Sequence, residues 1–221
     1  MIVTIDGPAG AGKSTTAKLV AARLGFRYLD TGAMYRAVTA MVLGRGADPG
    51  DALAATAVAE SLSLELRPDG TVLANGSDLT TLIRTERVTA GVSEVSAHPG
   101  VRTAMTRIQR DIGRLGDLVC EGRDMGSVVF PDAPLKIWLD APIEVRAERR
   151  RKELEGAGES LSLDELVLRL VERDRKDSAR ATAPLKRVDD QTFVDTAGLS
   201  VAQVVEKITA LATAARTGGR V

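Results

Sequence analysis

The octapeptide Gly7-Pro8-Ala9-Gly10-Ala11-Gly12-Lys13-Ser14 fits the pattern GxxxxGK[ST]. Those residue types in that order suit one task, holding a polyphosphate. Glycines let a loop close tightly enough for successive N–H groups to converge on phosphate oxygens. The Lys13 ammonium reaches the β and γ phosphates, and the Ser14 hydroxyl can ligate Mg²⁺. Thr15 extends the cradle into the helix that follows, whose amino end carries partial positive charge. The bland alternative is a Gly-rich turn without a ligand. Four fixed positions arise by chance in such a chain at a rate on the order of one per cent.

A phosphate loop alone does not choose among ATPases, GTPase switches and kinases. The chain has no Asn-Lys-x-Asp tetrapeptide of the kind that reads guanine. A kinase acting on a small molecule needs a second anion site and mobile cations for the transferring phosphoryl group. Four stretches offer them. Tyr35 and Arg36 lie one turn beyond Thr31-Gly32, and the planar fork of Arg matches a monophosphate. Glu121-Gly122-Arg123-Asp124-Met125-Gly126 places an Arg beside an Asp after a glycine, as a ligand clamp would. Arg146, Arg149 and Arg150 share a helix face, as do Arg173, Asp177 and Arg180 further on. Residues 155–160 between those helices are polar and glycine-containing, so the pair reads as a closing lid. An ordinary solvated face is the alternative. His98 receives no role, and Cys120 reads as a buried strand residue.

Elements that would position these groups are legible from periodicity. Residues 2–5, 27–29, 118–120, 136–139 and 192–195 are short apolar or β-branched runs and predict strands. Helices are expected over 13–24, 33–43, 51–60, 101–115, from Pro142 onward, from the Ser162 capping box to a stop at Pro184, and after Ser200. Strands alternating with helices imply parallel pairing, and such sheets bind ligands at the carboxyl ends of their strands. Between 62 and 83 the pattern changes. Alternating Leu62, Leu64 and Leu66, then turn signals at 68–70 and 75–76, predict a small antiparallel insertion. The expected organisation is a core of 1–61 and 84–145 that binds the monophosphate, the insertion 62–83, a lid region 146–180, a further core piece 181–216 and a flexible tail 217–221.

Composition narrows the classes. The 221 residues carry 30 basic and 30 acidic side chains, which argues against a strong basic field for long nucleic acid. Aromatics make up 3%, so stacking platforms for single strands are scarce. Apolar content of 44% is ordinary for a globular protein, and no run approaches the length of a membrane span. The first residues lack a basic region, so no signal peptide is expected. A single Cys excludes an internal disulfide and fits a reducing, cytoplasmic setting. No long apolar helix face is obviously spare, which predicts a monomer.

Four segments in order, 5–14, 29–36, 121–133 and 173–185, resemble bacterial cytidylate kinases over residues 2 to about 210. The resemblance implies an α/β fold of P-loop NTPase type, about five parallel strands flanked by helices, with the β insertion and a helical lid. It implies ATP-dependent, Mg²⁺-assisted phosphorylation of CMP and dCMP, with no nucleic-acid or membrane partner. Carried over by position, residues Gly7 to Thr15 and Arg146 would hold the nucleotide, and Lys13, Arg149, Arg150 and Arg180 would act on the transferring group. Arg36 and Arg123 would hold the acceptor phosphate, with Thr31 and Tyr35 beside them. Ser93, Arg102 and Asp124 match positions that read the cytosine edge, where a carboxylate accepts from the N4 amino group. Arg173 and Asp177 match ribose-facing positions. A different small-molecule acceptor, or a slow nucleotide-dependent regulatory switch, are the rival readings.

Overall fold

The computed structural model describes residues 1–156, 158 and 160–218. Positions 157 and 159 of the expected lid loop and 219–221 of the expected tail lie outside the described residues. The chain divides into two compact units: Met1–Tyr28 together with the chain from Asp117 onward, and Leu29–Gly116. In order, the elements are β1 (Ile2–Asp6), α1 (Lys13–Leu24), β2 (Arg27–Asp30), α2 (Thr31–Gly44), α3 (Ala52–Ser61), β3 (Leu64–Leu66), β4 (Val72–Ala74), β5 (Ser77–Asp78), α4 (Glu86–Val95) and α5 (Pro99–Arg114). There follow β6 (Leu118–Gly122), β7 (Leu135–Asp140), α6 (Ile143–Gly156), α7 (Leu163–Ser178), β8 (Thr192–Asp195) and α8 (Val201–Arg216).

The five strands expected from the sequence form one sheet in the order β2-β6-β1-β7-β8. β1 is central and runs parallel to β6 and β7, with Asp6 level with Gly122 on one side and Trp138 on the other. That register brings the carboxyl ends of three strands to one edge, where the phosphate loop and the Arg123 turn begin. The sheet core is aliphatic, as the scarcity of aromatics requires. Val3, Ile5, Val119, Ile137, Leu139 and Val194 pack with Ala17 and Val20 of α1 and Val204, Val205 and Ile208 of α8. Each of the Val, Ile and Leu side chains contributes ~1.5–3 kcal/mol on burial.

Local chemistry sets the helix ends. Gly12, at φ 88°, is the N-cap of α1, and the left-handed Gly25 closes that helix. Reciprocal capping boxes start α7 (Ser162 with Glu165) and α8 (Ser200 with Gln203). α7 stops at Ser178, short of the stop expected at Pro184, and the Leu185 N–H returns to the Asp177 carbonyl at 2.9 Å.

In the second unit, Asp30 Oδ1 accepts the Ala33 N–H at 2.8 Å and so starts α2 two residues earlier than the sequence pattern suggests. The insertion is a three-stranded antiparallel sheet, β3-β4-β5, and Asn75 (φ 51°) with Gly76 makes its tight turn. α4 has no counterpart in the sequence expectation. It packs on α2, burying Val88, Gly91, Val92 and Val95.

Candidate active site

The phosphate loop joins β1 to α1, the context its pattern demands. Gly7 sits at φ 150°, and a Cβ there would lie 1.9 Å from the Leu139 carbonyl oxygen, so no larger residue fits. Lys13 is only 6% exposed, and its Nζ donates to the Pro8 carbonyl at 2.6 Å. Burial lowers its pKa from 10.5 to about 7, helped by the Arg123 and Arg173 guanidiniums and opposed by Glu121 and Asp174. Burial first, and the two guanidiniums second, thus disfavour the charged ammonium, and an anion beside Nζ would favour it. Ser14 Oγ donates to Glu121 Oε1 at 2.5 Å, which joins a hydroxyl and a carboxylate at the mouth of the loop.

Beyond the loop, Asp177 accepts from Arg123 Nε at 3.0 Å and from Arg180 Nη2. Although its own burial opposes ionisation, the guanidiniums of Arg123, Arg180 and Arg173 hold its carboxyl below the usual range. The arrangement presents two oriented guanidiniums around one buried carboxylate, and such a planar fork can donate parallel hydrogen bonds to a phosphate. Asp124, next to Arg123, is also buried.

Asp6 organises this turn. Its Oδ1 accepts the Met125 N–H at 2.8 Å, and its Oδ2 accepts the Gly126 N–H at 2.8 Å and Gln191 Nε2 at 3.0 Å. Despite those bonds, complete burial lifts its carboxyl pKa to about 7. A single π-helical turn, Met125–Val129, comes next in the chain, with the Val129 N–H on the Asp124 carbonyl at 3.1 Å and the Phe130 N–H on the Met125 carbonyl at 2.7 Å. Sequence reasoning did not assign a role to Asp6, although its place directly before the loop was a usable signal. Glu121 was visible only as a carboxylate ending a strand.

The expected lid arginines have distinct surroundings. Arg146 is buried, with Nε on the Ala141 carbonyl at 3.0 Å and Nη1 on the Ala9 carbonyl at 2.9 Å and Asp174 Oδ2 at 2.6 Å. Arg149 reaches Thr196 through Oγ1 at 2.8 Å and the carbonyl at 2.9 Å, with the Ala11 carbonyl at 3.4 Å. Arg150 is paired with Glu153 at 2.9 Å on the more exposed side of α6. Arg146 thus braces the loop from below, whereas Arg149 lies beside its Ala11–Gly12 peptide.

In the second unit, Thr31 and Tyr35 are buried on α2, and Arg36 is half-buried one residue on. A Cβ at Gly32 would lie 3.5 Å from Arg36 Nη1, so the guanidinium turns toward the amino end of its own helix. The Arg102 guanidinium stacks 5.4 Å from the Tyr35 ring centroid and donates to the Ser96 carbonyl at 3.1 Å. The structure therefore brings Tyr35 and Arg102 together. Ser93 lies half-buried on α4, the helix missing from the expectation. His98 Nε2 donates to the Pro49 carbonyl at 2.7 Å, a structural bond. Cys120 is buried in β6 with its thiol toward the Val3 carbonyl, and burial pushes its pKa up, which leaves it inert.

A family model described as cytidylate kinase matches residues 3–214. The chain is 46% identical over 222 residues to a cytidylate kinase of Solibacter usitatus (strain Ellin6076), covering all of this chain and 95% of that protein. It is 51% identical over 212 residues to a bifunctional pantoate ligase/cytidylate kinase of Synechococcus sp. (strain WH7803), covering 94% of this chain and 43% of that protein. The chain thus spans less than half the length of the bifunctional relatives. Among solved structures, TT1252 from Thermus thermophilus is similar with a TM-score of 0.49 at 21% identity, over 97% of this chain and 96% of that one.

Proposed function

The chain belongs to the cytidylate kinase family, and from that premise we propose that it transfers the γ-phosphoryl group of ATP to CMP or dCMP. The observation that carries this reading is the charge arrangement of the first unit. A glycine loop with a buried, partly discharged Lys13 lies in the same unit as the Arg123–Asp177–Arg180 cluster.

In the proposed mechanism the loop amides and Lys13 hold the ATP phosphates, and Lys13 regains its charge as they arrive. The Ser14 hydroxyl beside the Glu121 carboxylate fits a hard cation that takes oxygen ligands, so Ser14, with Glu121 next to it, would hold Mg²⁺. When bound, Mg²⁺ neutralises charge on the β and γ phosphates. Arg123 is the first unit's candidate for the acceptor phosphate, and Arg36, with Thr31 and Tyr35 beside it on α2, is the second unit's. Arg173 and Asp177 take the ribose, and Asp177 at the same time orients Arg123 and Arg180. Arg180, Arg149 and Arg150 stabilise charge on the transferring group. A phosphate acceptor is already ionised near neutral pH and needs no general base.

The candidates for base choice are Asp124 in the first unit and Ser93 and Arg102 in the second. A carboxylate accepts from the cytosine N4 amino group, which uracil replaces with a carbonyl. Among the described residues no helix is long and apolar enough to cross a membrane. A monomer in a reducing, cytoplasmic setting completes the proposal; the single free thiol fits that setting, and sedimentation tests the monomer.

The reading is tested by ADP release with CMP, dCMP, UMP and AMP as acceptors. CMP and dCMP should stimulate release far above the other two, and Asp124→Asn should narrow that gap. Lys13→Ala should lower turnover by ~10²–10³ while CMP binding persists. Equal use of UMP by the unaltered enzyme would remove the base assignment.

A further inference from the structure

Ala9 is held at every point it offers. Its N–H donates to Asp174 Oδ1 at 3.0 Å, and its carbonyl accepts from Arg146 Nη1 at 2.9 Å. Those two partners are themselves joined, Arg146 Nη1 to Asp174 Oδ2 at 2.6 Å. An ion pair contributed by two helices, α6 and α7, therefore brackets both faces of one loop residue. The Ala9 methyl is buried with Ala147, Leu154, Leu166 and Leu170 of the same helices. The next residue, Gly10, runs so close to α6 that a Cβ there would lie 3.1 Å from the Arg146 Cβ and carbonyl oxygen.

The Ala9 N–H is thus spent on Asp174 and is not offered to a phosphate. Fixing both ends of its peptide sets the direction in which the chain enters Gly10–Lys13, whose amides must converge on a phosphate before one arrives. Preorganised donors cost no rearrangement when the ligand binds, and the energy saved appears as affinity. The pair also spans the two helices on either side of the segment after residue 156, so loop and helices are tied together.

We infer that Asp174 and Arg146 are positioning residues for the phosphate loop, acting through the Ala9 peptide; for Arg146 this replaces the direct nucleotide contact that the family resemblance implies. This rests on the reading that the loop binds a polyphosphate. The chemistry separates the two halves of the clip. Asp174→Asn keeps an oxygen for the Ala9 N–H and loses the charge that holds Arg146. Asp174→Ala loses both, and Arg146→Lys keeps a positive charge without the fork that reaches carbonyl and carboxylate together.

The experiment titrates ADP and, separately, CMP into each protein by calorimetry, with amide exchange at Ala9 followed by ¹⁵N NMR. Asp174→Ala should bind ADP about 10- to 100-fold more weakly, the range of a lost hydrogen bond to a charged group, with CMP affinity within about twofold. Asp174→Asn should recover part of the ADP loss. The Ala9 amide should exchange slowly in the unaltered protein and faster in the alanine variant. Should Asp174→Ala fail to fold, Arg146→Lys is read in the same way. A lower melting temperature with unchanged ADP affinity would overturn the inference, because it is the mark of a purely structural pair. An unaltered enzyme that binds no ADP would instead overturn the polyphosphate reading beneath it.

Discussion

Loading the phosphate loop should draw a proton onto the protein. Burial lowers the Lys13 pKa to about 7, against 10.5 in water. At pH 8 a group with that pKa is charged in only about one molecule in eleven. A phosphate oxygen ~4 Å away is worth about 4 kcal/mol per unit charge at an effective dielectric of 20, or about three pKa units. That is enough to return Lys13 to its ordinary range. Binding ADP at pH 8 should therefore take up about 0.9 proton. The assay is calorimetric titration at pH 8 in buffers of different ionisation enthalpy, where the slope of observed heat against buffer enthalpy counts protons. Lys13→Met should flatten the slope, and it also subtracts any ionisation of the nucleotide itself. A wild-type slope near zero, or one that Lys13→Met leaves unchanged, would refute the claim that burial discharges this lysine.

Asp6 gives a stability test with the opposite sign. Its pKa is raised to about 7 from 3.8, so the folded state holds its proton longer than the unfolded state. Its contribution is intact at acid pH and is lost as pH rises from about 4 to 7, by at most ~4 kcal/mol. Urea midpoints of wild type and Asp6→Asn should therefore diverge across that window, with wild type losing ground; parallel curves would contradict it. Asp177→Asn strands Arg123 and Arg180 without their carboxylate, which should cost ~3–5 kcal/mol and raise the CMP KM more than the ATP KM. Denaturant unfolding and steady-state kinetics would check both halves. Gly7→Ala forces a Cβ to 1.9 Å from the Leu139 carbonyl oxygen, so soluble, ADP-binding protein should not be recovered; a normal calorimetric titration would refute the contact.

The phosphate loop, the five sheet strands and the insertion were legible because each depends on neighbours in sequence. Glycine spacing, β-branched runs and turn dipeptides are local signals. α4 was not read, although Val88, Val92 and Val95 lie at helical spacing, because Gly91 and several β-branched residues weaken the local preference. Pro184 does not mark the end of α7, because the chain leaves the helix at Ala179 and folds back through the Leu185 N–H to the Asp177 carbonyl, a contact with no signal in the local sequence. Arginines could be recognised as candidates, but helix-face spacing could not separate Arg146 from Arg149. Only the fold shows that Arg146 meets Asp174 and Ala9, with the carboxylate 165 residues from the loop. The Asp6 contacts to Met125, Gly126 and Gln191 are equally non-local, since parallel strands place distant segments at one edge.

The central claim is transfer of a phosphoryl group from ATP to a cytidine monophosphate. Phosphorus-31 NMR of the enzyme with ATP, Mg²⁺ and CMP follows that group directly. The account predicts one CDP for each ADP formed, with no accumulation of inorganic phosphate. Inorganic phosphate appearing in step with ADP, and no CDP, would contradict it.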